Sequence, residues 1–253
     1  MRRLLMTVGF CVGGALALAT PARAADFVFS LGTSGTGLAA SATFHDAGAG
    51  NLEITLANIG GDVDDPPDVL TTLFFNCSCG TLTPVSAVLA GGSTVLFGAD
   101  GGGNVGGEWA YLGSVAGPGG ATRGISSSGM GGLFGSPNFG GPDLNGQAAL
   151  GGLGYGITSA VDNPTTGNAA VTGGNELIQN SVKFTLSGFN GNMSFSNISF
   201  QYGTSMTEPN LGGGTGGGSG QQLVPEPTSL LLFGSGLSMV AYRTRRRKEN
   251  KSS

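Results

Sequence analysis

Four aspartates, Asp62, Asp64, Asp65 and Asp68, fall within seven residues around Pro66-Pro67. Carboxylates so close repel one another, and a hard cation relieves the repulsion. Ca²⁺ suits such a set, because it takes about six to eight oxygen ligands in flexible geometry. The run lacks the glycine and the closing glutamate of an EF-hand loop. A second reading stays open beside Ca²⁺: aspartate side chains also fold back on the backbone and fix turns.

Cys77 and Cys79 are the next pair with chemistry in them. In an oxidising compartment they can bridge. On a strand they would share a face, with Cα atoms about 6 to 7 Å apart. The ring closed by such a bridge is small and strained. The pattern argues against a zinc site, since there is no second cysteine pair and His45 is the only histidine. Catalysis by a Ser-His-Asp arrangement would rest on His45, which stands beside Asp46 in the turn-like run His45-Asp46-Ala47-Gly48. Acids are available for paired-carboxylate hydrolysis, but no pair stands out. No glycine run ends in the Gly-Lys-Ser/Thr of a phosphate loop. The expectation is a protein that is not an enzyme.

The elements that must position these residues read as strands. Asp26 to Ser30, Ala40 to Phe44, Leu52 to Leu56, Val182 to Leu186 and Ile198 to Tyr202 alternate apolar with Ser, Thr, Glu, Lys or Gln. Val69 to Phe75 is apolar and follows the aspartates. No stretch between the two ends carries a capped 3.6-residue period. The fold class expected is all-β, an antiparallel β-sandwich with long Gly-rich loops. Residues 91–156 hold the densest glycine, with Trp109, Tyr111, Phe134, Phe139 and Tyr155 spaced through them. These rings either form an aromatic platform for glycans or anchor weakly packed loops onto the sandwich.

The two ends of the chain have a different character. Val224-Pro225-Glu226-Pro227-Thr228-Ser229 leads into the apolar run Leu230 to Tyr242, which ends in Arg243-Thr244-Arg245-Arg246-Arg247-Lys248. Fifteen helical residues cover only ~22 Å, against a hydrocarbon core of roughly 30 Å. Such a short transmembrane helix holds a chain transiently. The basic stop Arg243, Arg245, Arg246, Arg247 and Lys248 stays on the cytoplasmic side and leaves the body outside. Pro225 and Pro227 keep Glu226 in extended backbone that a processing enzyme can grip.

This arrangement resembles the PEP-CTERM sorting signal of exosortase-dependent surface proteins of Gram-negative bacteria. The residues that carry the likeness are Val224 to Thr228, Leu230 to Leu237 and Arg245 to Lys248. The resemblance implies cutting by an exosortase near Pro225-Glu226-Pro227 and delivery to the cell surface or extracellular matrix. Several body segments resemble a recurring subset of the same proteins: Leu56-Ala57-Asn58, Asp62-Val63, Pro67 to Phe75, Tyr155 to Ala160, Asn180-Ser181-Val182 and Ser196 to Thr204. The likeness to that subset implies no activity.

At the other end, Arg2 and Arg3 precede an apolar run from Leu4 to Ala19, and Ala22-Arg23-Ala24 fits a signal-peptide cleavage site. Nine of the eleven basic residues lie in the two ends, leaving Arg123 and Lys183 between Ala25 and Val224. Of the fifteen acids, all but Glu226 and Glu249 lie in that stretch. So acidic a body is unsuited to nucleic acid, whose phosphates need Lys and Arg. The expected organisation is a signal peptide over 1–24, a β-sandwich ectodomain over 25–210, a Gly-rich linker over 211–223 and the sorting signal over 224–253. The function expected is an exported surface or matrix protein, structural in an exopolysaccharide or biofilm layer. The alternative is a Ca²⁺-assisted or aromatic-based glycan-binding module. Partners are the exosortase, the inner membrane during transit and extracellular polysaccharide.

Overall fold

A computed structural model describes residues 26–33, 37–212 and 221–222. Along the chain the strands are β1 (Phe27–Gly32), β2 (Ala39–Gly48), β3 (Asn51–Asn58), β4 (Leu70–Cys77), β5 (Thr83–Leu89), β6 (Thr94–Leu96) and β7 (Ala110–Leu112). They continue with β8 (Arg123–Ser126), β9 (Gly156–Thr158), β10 (Leu177–Gln179), β11 (Ser181–Ser187), β12 (Phe195–Tyr202), β13 (Asn210–Gly212) and β14 (Gln221–Gln222). Among the described residues, only short 3-10 turns and loops lie between them. The described chain is all-β, as the alternating pattern predicts.

One sheet has the strand order β14-β1-β2-β3-β11-β5, and the other β13-β12-β4-β9-β10-β6, with β8 on β4 and β7 on β8. The two meet through their apolar faces in one core. Phe44, Ile54, Leu56 and Phe184 come from the first sheet, and Leu73, Phe75, Ile198 and Phe200 from the second. Phe44 and Phe195 stack across the gap with ring centroids 4.0 Å apart, and Phe75 meets Phe44 edge-on at 5.6 Å. Each such buried phenylalanine contributes about 1.5–3 kcal/mol. The β2–β3 hairpin closes through Gly48, Ala49 and Gly50, all left-handed with φ of 76°, 52° and 75°. Two glycines make this turn tolerable, since only glycine adopts that region without cost.

The central strand β4 departs from simple alternation. Leu70 through Phe75 are all buried, because both faces of the strand are covered. Leu73 and Phe75 enter the core between the sheets. On the opposite face Phe74 packs with Ala110, Ala121, Met130 and Phe134 from the glycine-rich middle. A continuous apolar run is what a strand covered on both sides requires. The same middle region caps the edge of β5, through bridges of Ser86 to Gly140 and of Val88 to Asn104. Capping an edge removes a template for unwanted strand pairing.

Two findings depart from the sequence reading. The first sheet is antiparallel but the second is mixed, since β9 and β10 pair parallel, with Ile157 opposite Ile178. A parallel pair needs a crossover in place of a hairpin, and residues 159–176 supply it. Both ends of the stretch 211–223 enter the sheets: Leu211 pairs with Phe200, and Gln221 and Gln222 pair with Val28 and Phe27. The residues expected to form a short C-terminal transmembrane helix, 230–242, lie outside the described residues. Among those described, no helix is long and apolar enough to cross a membrane.

Candidate functional site

The aspartate loop leaves β3 and reaches β4 through a short 3-10 turn, Pro66–Asp68. Prolines at its first positions pre-set the backbone angle and remove N–H groups that the turn leaves unpaired. Two backbone N–H groups, of Asp64 and Asp65, donate to Asp68 Oδ2 at 3.3 and 3.1 Å. Further bonds come from the crossover between β9 and β10. Asn163 N–H donates to Asp62 Oδ1 at 2.7 Å and the Thr166 hydroxyl to Asp62 Oδ2 at 2.6 Å. Asn168 donates from its side chain to Asp65 Oδ1 at 2.6 Å and from its backbone to the Asp64 carbonyl at 2.8 Å.

Asn58, at the end of β3, locks these two loops to the sheets. Its side-chain amide donates to the Asp68 and Ile157 carbonyls at 3.2 and 3.0 Å, and its oxygen accepts from Gly60 N–H at 3.1 Å. The loops also bring together two carboxyls the sequence does not place side by side. Val63 N–H donates to both, to Asp62 Oδ1 at 3.2 Å and to Asp162 Oδ1 at 3.0 Å. Burial pushes Asp162 above the usual carboxylate range. The Thr166 hydroxyl and the Asn163 N–H hold exposed Asp62 below it. Burial also raises Asp68, against the pull of its two N–H donors.

The arrangement favours the turn-fixing reading of the aspartates. Among the described residues, no group of three or more His, Cys, Asp or Glu side chains is placed to hold a metal ion. Asp62, Asp65 and Asp68 are bonded to backbone and side-chain donors of the loops themselves. They fasten one loop to another.

The aromatic residues resolve in the same direction. Trp109, Tyr111, Phe134, Phe139 and Tyr155 are all buried, so none belongs to an exposed platform. Trp109 and Phe139 pack on Phe184 of β11, with centroids at 4.9 and 5.3 Å. Tyr155 donates its hydroxyl to the Ala99 carbonyl at 2.9 Å, and burial raises its pKa. These rings anchor the glycine-rich loops.

His45 and Asp46 continue β2 and do not form a turn. The imidazole partner is Asp26, with Nδ1 to Oδ1 at 2.5 Å, nineteen positions away in the chain. A further acid was not singled out by its sequence surroundings. Glu108 is 2% exposed and accepts from Leu144 and Asn145 N–H at 2.5 and 3.3 Å. Its carboxylate organises a loop that Asp143 also fixes from within, accepting from Gly146 N–H at 2.6 Å.

Cys77 and Cys79 are joined, with Cα atoms 5.1 Å apart. The separation is shorter than strand spacing because β4 ends at Cys77 and Cys79 lies beyond it. The processing residues Val224, Pro225, Glu226 and Pro227, the basic stop, and the cleavage residues Ala22 and Ala24 lie outside the described residues.

The family profile of the PEP-CTERM protein-sorting motif matches residues 223–248. The chain therefore carries this motif, which implies exosortase processing, export and targeting to the cell surface. No curated protein and no solved structure matches the chain.

Proposed function

We propose that this protein, with a PEP-CTERM sorting motif over residues 223–248, is a non-enzymatic surface or extracellular-matrix component. Its place is structural, within an exopolysaccharide or biofilm layer. The inner membrane holds the precursor in transit, and an exosortase cuts near Pro225-Glu226-Pro227. The motif is the observation that carries this reading. The body supports it, because its carboxylates and aromatic rings fasten loops and are not gathered in an open cleft. His45 is paired with Asp26.

Replacing Pro225, Glu226 and Pro227 together by alanine tests the sorting step. The variant should accumulate as uncut precursor in the inner-membrane fraction, by immunoblot against the body. Normal surface delivery of that variant would refute it.

A further inference from the structure

We infer that the Cys77–Cys79 bridge is a reversible exchange site for low-molecular-weight thiols, with Cys77 as the sulfur attacked and Arg123 as the residue that favours departure of Cys79. The bridge joins residues only two positions apart. Constraint of the unfolded chain grows with loop length, so so short a loop stabilises the fold little. The segment is also held without it. Cys77 pairs with Phe195 of β12. Asn190 donates from its side chain to the Ser78 carbonyl at 2.9 Å and from its backbone to the Cys79 carbonyl at 3.2 Å. Arg123 donates from Nη2 to the Gly80 carbonyl at 3.0 Å. Opening the bridge therefore leaves the turn fastened at each of its residues, and the bridged and dithiol forms share one fold.

The two sulfurs are not equivalent. Cys77 is half-buried at the end of β4, whereas Cys79 is fully buried. Reagent reaches Cys77 first. Arg123 lies opposite Phe75 on β8, and Phe75 and Cys77 share a face of β4. In a body with only one other basic residue, its guanidinium makes no ion pair among the described residues. Its Nη1 donates to the Tyr111 hydroxyl, and its Nε is buried with no hydrogen-bond partner. An uncompensated cation is thus held against the residue that follows Cys79. Positive charge beside a cysteine favours its thiolate.

The exchange balances as follows. An incoming thiolate bonds to Cys77 Sγ, the Cys77–Cys79 bond breaks, and its electron pair leaves on Cys79. A second thiolate attacks the outer sulfur of the mixed disulfide and releases Cys77. Two protons are taken up by the protein thiolates, and the reagent leaves as its disulfide. The reverse sequence oxidises the dithiol.

Glutathione is the probe. The exported full chain, equilibrated in buffers of reduced and oxidised glutathione and then alkylated, should pass from bridged to doubly alkylated without loss of its β circular-dichroism signal. In Cys79→Ser the glutathione adduct should form on Cys77, by peptide mass spectrometry, while Cys77→Ser should give little adduct. Arg123→Gln should slow reduction about tenfold at every pH, with Arg123→Lys restoring most of the rate. A bridge that opens only when denaturant is added overturns the inference, as does an adduct formed preferentially on Cys79. An unchanged rate in folded Arg123→Gln removes the role of Arg123. Should that variant not fold, the glutathione titration and the two cysteine variants still decide the exchange site.

Discussion

Glu108 shows how one buried acid is made to serve as a connector. Its carboxylate satisfies two N–H groups of the 144–145 segment. Burial raises its pKa, the two N–H donors lower it, and Asp143 and Glu176 raise it further. The net direction is upward, so the folded state holds the proton more tightly than the unfolded chain. Stability from this group is then greatest below the unfolded value of about 4.3 and falls as pH rises through the higher folded value. Glu108→Gln keeps an acceptor oxygen without the charge. It should raise the melting temperature relative to the parent at pH 8 and leave it unchanged at pH 4, by thermal circular dichroism. Glu108→Ala should cost about 1–3 kcal/mol, because two N–H groups lose their acceptor.

Among the elements, the crossover from β9 to β10 does the most to place the aspartate loop. It packs on that loop at Gly167, where φ is +88° and a Cβ would meet the Asp64 carbonyl oxygen at 2.5 Å. Gly131 has a similar left-handed φ, +70°, with open space around its Cβ position. Gly131→Ala should therefore cost only the backbone penalty, about 1–2 kcal/mol. Gly167→Ala should cost more, about 3 kcal/mol, since the two loops must also part. Urea denaturation of the two variants compares them directly; equal losses would mean that the contact at Asp64 carries no energy. The longer strands were legible because residues such as Phe44, Ile54 and Phe184 alternate with polar neighbours. The strands β6, β7, β9 and β10 are three residues each, too short for a period to show among glycines. Asp162 was not legible as a partner of the aspartate loop, since it bonds Val63 from 99 positions away. The same holds for Asp26 and His45, which only strand pairing brings together.

For the molecule as a whole, the question raised by thirteen acids against two bases between Ala25 and Val224 is how such a body stays folded. Much of the answer is that acids are bonded to N–H and hydroxyl donors: Asp62, Asp65, Asp68, Glu108 and Glu208 each fasten a turn or loop. Two more are paired, Glu53 with Lys183 and Asp26 with His45. Cation binding is not required by this arrangement. Titration of the purified body with millimolar Ca²⁺ should give no heat and no change in melting temperature. A saturable rise in melting temperature would establish the metal reading of the aspartates. At this scale the division of labour is simple: the sorting motif over residues 223–248 addresses the protein, and the body before it is a loop-clad sandwich.

The single tryptophan has a practical consequence. Trp109 is fully enclosed and lies edge-on against Phe184, on the sheet opposite the β7–β8 pair it precedes. Its ultraviolet emission is thus an optical gauge of whether the glycine-laden region has settled against its support. Backbone dichroism follows the sheets as a whole, so the two signals together separate the seating of that region from assembly of the scaffold beneath it.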